Sequence, residues 1–177
     1  MVDAKAAERF MASPLLADVE PVLRRAMLEV MAEDRARAGS VLLEQGQPND
    51  HLSFVIEGTV TVERKFPVGT NEVLTTMTAP AVFGTTSFFR PTPPTVNVCA
   101  LTDVWLLTLY HPAHESLRRE NPRAAEALAL AVVRVLAERF DILDQRLSEY
   151  LRRHNDDQPK PTEWANFRAR LFEDSTL

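Results

Sequence analysis

The sequence predicts an α+β chain that is mainly β. Its centre is a small antiparallel sandwich or barrel, with helices before it and one long helix after it. Three observations predict this. Six segments between about Ala32 and Tyr110 alternate with a period of two and are parted by Gly, Pro, Asn and Asp breakers, the spacing of an all-β sandwich or barrel. The residues before them carry helix-start signals. The residues after Pro122 carry an apolar stripe at steps of three and four. The chain has 177 residues, 45% of them hydrophobic, which suffices for one core with extensions and argues against disorder throughout.

The elements follow in order. Residues 1–31 form a helical lead-in. Ser13 before Pro14 has the form of an N-cap followed by proline at the first helical position, and Pro21 opens a second helix or kinks a longer one. In that second helix Val22, Leu23, Ala26, Met27 and Val30 share a face. The β-zone, 32–121, has strands expected at Ser40–Gly46, His51–Gly58, Thr59–Lys65, Glu72–Thr78, Thr95–Leu101 and Asp103–Leu109. A long helix fills 122–153, with Asn121 able to cap it and Pro122 suited to its first turn. Leu128, Val132, Leu136, Phe140, Leu143 and Leu147 line one side of it. At 1.5 Å per residue it would be roughly 45 Å long and would overhang a small barrel. The overhang needs a partner. A second copy of the chain is the simplest supply, and folding back on its own barrel is the alternative. Residues 154–177 read as a linker and a short amphipathic tail, with Trp164, Phe167, Leu171 and Phe172 on one side. The tail is a candidate surface for a protein partner.

Composition narrows the function. The net charge is −5 and acids outnumber bases in the β-zone, so no basic nucleic-acid face is expected. No apolar run is long enough to span a bilayer, and residues 1–14 lack a secretory signal stretch. One cysteine, Cys99, excludes an internal disulfide framework, so a cytoplasmic protein is expected. Cys99 reads as core, and Trp105 and Trp164 as packing. A metal-bearing barrel would need two histidines one residue apart on a strand with a carboxylate. His51, His111, His114 and His154 offer no such pair, and no metal is expected. No Ser-His-Asp motif, P-loop or Rossmann fingerprint occurs, and no enzyme is expected.

Two stretches carry more. "AGSVLLEQGQPNDHLSFVIEGTVTV" (Ala38–Val62) has Gly39, Gly46 and Gly58 at turn positions, and "VFGTTSFF" (Val82–Phe89) interrupts the strands. Together, over about residues 15 to 150, they resemble the cyclic-nucleotide-binding domain family, in the form found in bacterial catabolite-activator-type regulators. The resemblance implies a small jelly-roll-like β-barrel and a phosphate-binding cassette, here 83–95. In that cassette a short helix offers its N-terminal N–H groups to a cyclic phosphate. A Glu after the Gly accepts from the ribose hydroxyl, and an Arg before the next strand pairs with the phosphate.

The chain departs from that pattern. Thr85 follows Gly84 where the Glu would stand, and Pro94 falls at the Arg position. Arg90 is the one basic group nearby, and Pro91, Pro93 and Pro94 remove backbone donors. The candidate ligand residues are Phe83, Gly84, Thr85, Thr86, Ser87, Arg90, Pro94 and Thr95. The expectation is a non-enzymatic regulatory or sensor module. Its degenerate cassette would bind cyclic nucleotide weakly or take another ligand, and no cofactor is expected. The alternatives are a dimer or interaction scaffold without a small-molecule ligand, and a true cyclic AMP or cyclic GMP regulator. Regulators of this kind follow the long helix with a DNA-binding unit, and Arg152–Leu177 has no recognition-helix pattern, so direct DNA binding is not expected.

Overall fold

The computed structural model describes residues 2–66, 69–90 and 92–154, with side chains through residue 149. The expected linker and tail fall almost wholly outside the described residues. The chain divides into two compact units, Met1–Val135 and Leu136–Leu177.

The first unit opens with α1 (Ala4–Met11), a 3-10 turn (Pro14–Leu16) and α2 (Pro21–Glu29). Asp3 caps α1, its carboxylate accepting from Lys5 N at 2.8 Å. Ser13 precedes the 3-10 turn, but its side chain makes no capping bond. Pro21 does open a separate helix. The expected face of α2 is only partly right: Met27 is buried, whereas Val22 is exposed.

Eight strands follow: β1 (Ala32–Ala36), β2 (Val41–Leu43), β3 (His51–Glu57), β4 (Thr59–Lys65), β5 (Asn71–Thr78), β6 (Ala81–Phe83), β7 (Asn97–Ala100) and β8 (Val104–Tyr110). They form two four-stranded sheets, ordered β1-β8-β3-β6 and β2-β7-β4-β5, with every pairing antiparallel. This is the jelly-roll-like architecture expected. Between the sheets lies a core that includes Leu43, Val55, Val60, Phe83, Val98 and Leu106.

Two strands were not expected. β1 reads AEDRA and shows no apolar alternation. It is held by pairing along β8 from Ala32↔Thr108 to Ala36↔Val104. Trp105 supports it, its indole N–H donating to Glu33 at 2.8 Å while the Arg35 guanidinium lies 4.0 Å over the ring. β6 has three residues, all buried, too few to show a period. β2 and β7 are shorter than expected, because the pairing between them slips between Val41 and Leu43.

After β8 come α3's downstream neighbours α4 (His111–Glu120) and α5 (Pro122–His154), α3 itself being Thr85–Phe89 between β6 and β7. The ten-residue helix α4 buries only Leu117 fully. Asn121 caps α5 as expected, its Oδ1 accepting from Ala124 N at 3.1 Å. The start of α5 is tied to the N-terminal segment by ion pairs of Arg123 with Glu20 and Arg134 with Asp18. Leu128 and Val132 are fully buried inside the first unit. The second unit, in its described part, continues α5. There Phe140, Ile142 and Leu143 are about half exposed or more, and Leu136 and Leu147 are half-buried. Among the described residues no helix is long and apolar enough to cross a membrane.

Candidate functional site

β6 delivers the chain to Gly84, which sits in the left-handed region at φ 81° and opens α3. Glycine is required there twice over. A side chain pays for that φ, and a Cβ would stand 2.5 Å from the His51 carbonyl oxygen. The approach is close because the β2–β3 loop clamps α3. Asn49 Nδ2 donates to His51 O at 2.8 Å and to Ser87 Oγ at 2.9 Å. Ser87 in turn donates to Gly84 O at 3.4 Å. Inside α3, Phe88 N donates to Gly84 O at 2.9 Å.

The underside of α3 is aromatic. Phe88 is buried and meets His111 edge-on at 4.5 Å and His114 at 5.2 Å, between ring centroids. The Phe88 carbonyl can only accept, so His111 Nε2, 3.0 Å away, carries the proton and donates. Burial is the main cause that holds His114 below the usual histidine pKa, with Arg118 and His111 adding to it and Glu115 opposing. A cleft of about 610 Å³ lies along this face, lined by Phe88, Phe89, His111, His114, Glu115 and Arg118 among others. α3 therefore rests directly on α4.

The far end of the cassette returns through Pro94. It is buried, and its carbonyl accepts from Gly46 N at 2.8 Å. Asn97, three residues on, is also buried, its Oδ1 accepting from Gln45 N at 2.8 Å.

The predicted site residues thus divide. Phe83, Thr85, Ser87 and Pro94 are buried, Gly84 is half-buried, and Thr86, Arg90 and Thr95 are exposed. The Ser87 hydroxyl is engaged within the loop clamp, so it is not a free donor for a ligand. Pro94 presents a buried ring and no charge. Sequence reasoning missed Asn49 and the two histidines. Asn49 lies inside the breaker Gly46-Gln47-Pro48-Asn49-Asp50, whose letters signal a turn and nothing more. Cys99 is half-buried, and desolvation, with Glu63 adding and Lys65 opposing, raises its thiol pKa. The described residues hold no group of three or more His, Cys, Asp or Glu placed for a metal ion.

A family model, cyclic nucleotide-binding domain, matches residues 33–121, half of the chain and the whole of the region just described. The chain belongs to the cyclic nucleotide-binding domain family. Over 133 residues it is 29% identical to the CRP-like cAMP-activated global transcriptional regulator of Mycobacterium tuberculosis, covering 75% of this chain and 58% of that protein. It is 32% identical to the N-terminal domain of a transcriptional regulator from Streptomyces coelicolor. That match has a TM-score of 0.64 and covers 75% of this chain and 95% of that one. A cyclic nucleotide-binding domain from Methylobacillus flagellatus superposes with a TM-score of 0.75 over 82% of this chain and 84% of that one. At 19% identity that likeness concerns the fold alone. The domain is of the regulatory kind found in CRP-like regulators and cyclic nucleotide-gated channels.

Proposed function

We propose that the chain is a non-enzymatic regulatory module whose cassette binds cyclic nucleotide weakly or serves a different ligand. The observation that carries this is the pair Thr85 and Pro94, both buried, where the family pattern places a carboxylate and a guanidinium. Each charge-assisted hydrogen bond contributes roughly 1.5–3 kcal/mol. Losing two removes about 3–6 kcal/mol, or about two to four powers of ten in affinity. The aromatic contact of Phe88 with His111 and His114 supplies the output. A ligand that shifts α3 displaces α4, and α4 leads into α5.

Calorimetric titration with cyclic AMP and cyclic GMP tests this. The expected dissociation constant lies near or above about 1 mM. Saturable binding tighter than about 50 µM would overturn the degenerate-cassette reading. It would instead favour a second-messenger sensor, in line with the cAMP-activated mycobacterial relative.

The partner proposed is a second copy of the chain, docked through α5. Leu128 and Val132 belong to the core of the first unit, so the face that remains is Leu136, Phe140, Leu143 and Leu147. A helix with such a face in water gains by pairing with its like. Sedimentation should give a dimer, and a concentration-independent monomer would refute the pairing.

A further inference from the structure

The contact between α3 and α4 is a cluster of four rings. Phe88 meets His111, His114 and Phe89 at 4.5, 5.2 and 5.1 Å between centroids, and Phe89 meets His114 at 5.7 Å. The two histidines are held in different ways. The His111 ring donates its Nε2–H to the Phe88 carbonyl at 3.0 Å. That bond survives a second proton on the ring, because the proton enters at Nδ1. The His114 ring has no hydrogen bond among the described residues and is held by ring contacts alone.

The charges around His114 come from two elements. On α4, Glu115 and Arg118 pair with each other at 3.0 Å, and His111 stands one turn earlier. On α5, Glu126 lines the same cleft; it is exposed and pairs with nothing among the described residues. The third element, α3, reads TTSFF and brings no charge. Charging the His114 ring where it stands means desolvating it beside Arg118 and His111, and burial already holds it below the usual histidine pKa. The cleft alongside, about 610 Å³, gives an imidazolium room to leave the rings for water and for a lining that includes Glu115 and Glu126.

We infer that His114 is a proton-operated release on the contact between α3 and α4: on taking up a proton its ring leaves Phe88 and Phe89 for the cleft, and α3 loosens from α4. His111 stays bonded to the Phe88 carbonyl, so α3 shifts on α4 and is not set free. Transmission onward to α5 rests on the reading of this contact as the output; the release itself does not.

The test is an NMR titration of the full chain from about pH 7.5 to about 5, with no ligand added. The His114 ring protons should titrate with a midpoint below about 6.5. Cross-relaxation between the His114 and Phe88 rings should disappear through that same midpoint, and the amides of Thr86, Ser87 and Phe89 should shift with it. His114→Phe keeps a ring in the cluster and removes the proton, so its α3 amides should shift far less while the rest of the spectrum stays that of a folded domain. Ring contacts that persist once His114 is protonated, α3 amides that ignore its midpoint, or α3 amides that titrate as fully in His114→Phe would overturn the proposal. The amides of Ala124 and Ala125 separate it from the output reading. If α3 shifts with protonation and they do not, the release stands and that reading falls.

Discussion

Replacing Gly84 with alanine should destabilise the first unit by about 3 kcal/mol, and the cause is open to a paired test. Two costs combine. An L residue at φ 81° loses about 1 kcal/mol or somewhat more against glycine. The second cost is contact, because the added Cβ would lie 2.5 Å from His51 O and must displace backbone rather than a side-chain tip. That carbonyl is not free to retreat. It accepts from Asn49 Nδ2, and its residue opens β3 opposite Tyr110 on β8. Giving way disturbs the clamp on α3 and adds about 1–3 kcal/mol. Gly39→Ala is the control. Its φ is 85°, nearly the same, yet nothing stands within 4 Å of a Cβ there. It should lose only the first cost, about 1 kcal/mol. The assay is urea unfolding followed by Trp105 fluorescence in a Trp164→Phe background. With m near 2 kcal/mol/M the midpoint should fall by about 0.5 M for Gly39→Ala and about 1.5 M for Gly84→Ala. Equal losses would refute the claim that close approach, rather than φ alone, fixes glycine at the head of the cassette.

Three further outcomes are expected. Ser13→Ala should stabilise the protein by about 1 kcal/mol in the same assay, because it deletes a buried hydroxyl that has neither a capping bond nor a partner; a clear loss of stability would mean the hydroxyl is satisfied. His114 should make stability depend on pH. Its folded pKa lies below the unfolded value near 6.5, so its contribution is complete above that value and is lost as pH falls toward the folded pKa. His114→Gln should flatten the slope of unfolding free energy just below pH 6.5, and an unchanged slope would place that titration elsewhere. Leu143→Asp, at a position 62% exposed in the single chain, should abolish dimer formation in sedimentation while leaving helix content by circular dichroism intact. A variant that still sediments as a dimer would move the interface off α5.

Much of the barrel was legible because half-burial writes itself into alternation. β3, β4, β5 and β8 lie within a residue or two of where the period of two put them. β1 was illegible for the opposite reason. Nothing in AEDRA announces a strand, and it forms because β8 offers it an edge and Trp105 offers Glu33 and Arg35 something to touch. The same limit held at the cassette. The glycine that turns the chain and the missing charges could be read in a line of letters. The Asn49 clamp could not, since it joins residues 38 positions apart. Ser13 shows the converse, a residue with the form of an N-cap whose hydroxyl makes no such bond once the chain is folded.

The apolar stripe of α5 shows most clearly what a period does and does not carry. Leu128, Val132, Phe140 and Leu143 are equivalent in the sequence, each three or four residues from the next member of one face. A period reports that a face is apolar and is silent on what covers it. In the structure the first two have their cover within the first unit, at 0% and 3% exposure, whereas Phe140 and Leu143 remain 54% and 62% exposed. The stripe is one pattern serving two tasks, and the change comes between Val135 and Phe140. Substitutions on either side should therefore fail differently. Val132→Ala should lower stability by about 1–3 kcal/mol without changing association, through loss of buried methyl groups. Leu143→Ala should weaken association and leave the unfolding of the barrel, followed at Trp105, nearly untouched. If both variants moved both quantities, the helix would act as a single cooperative element, and the division of its stripe would have no energetic meaning.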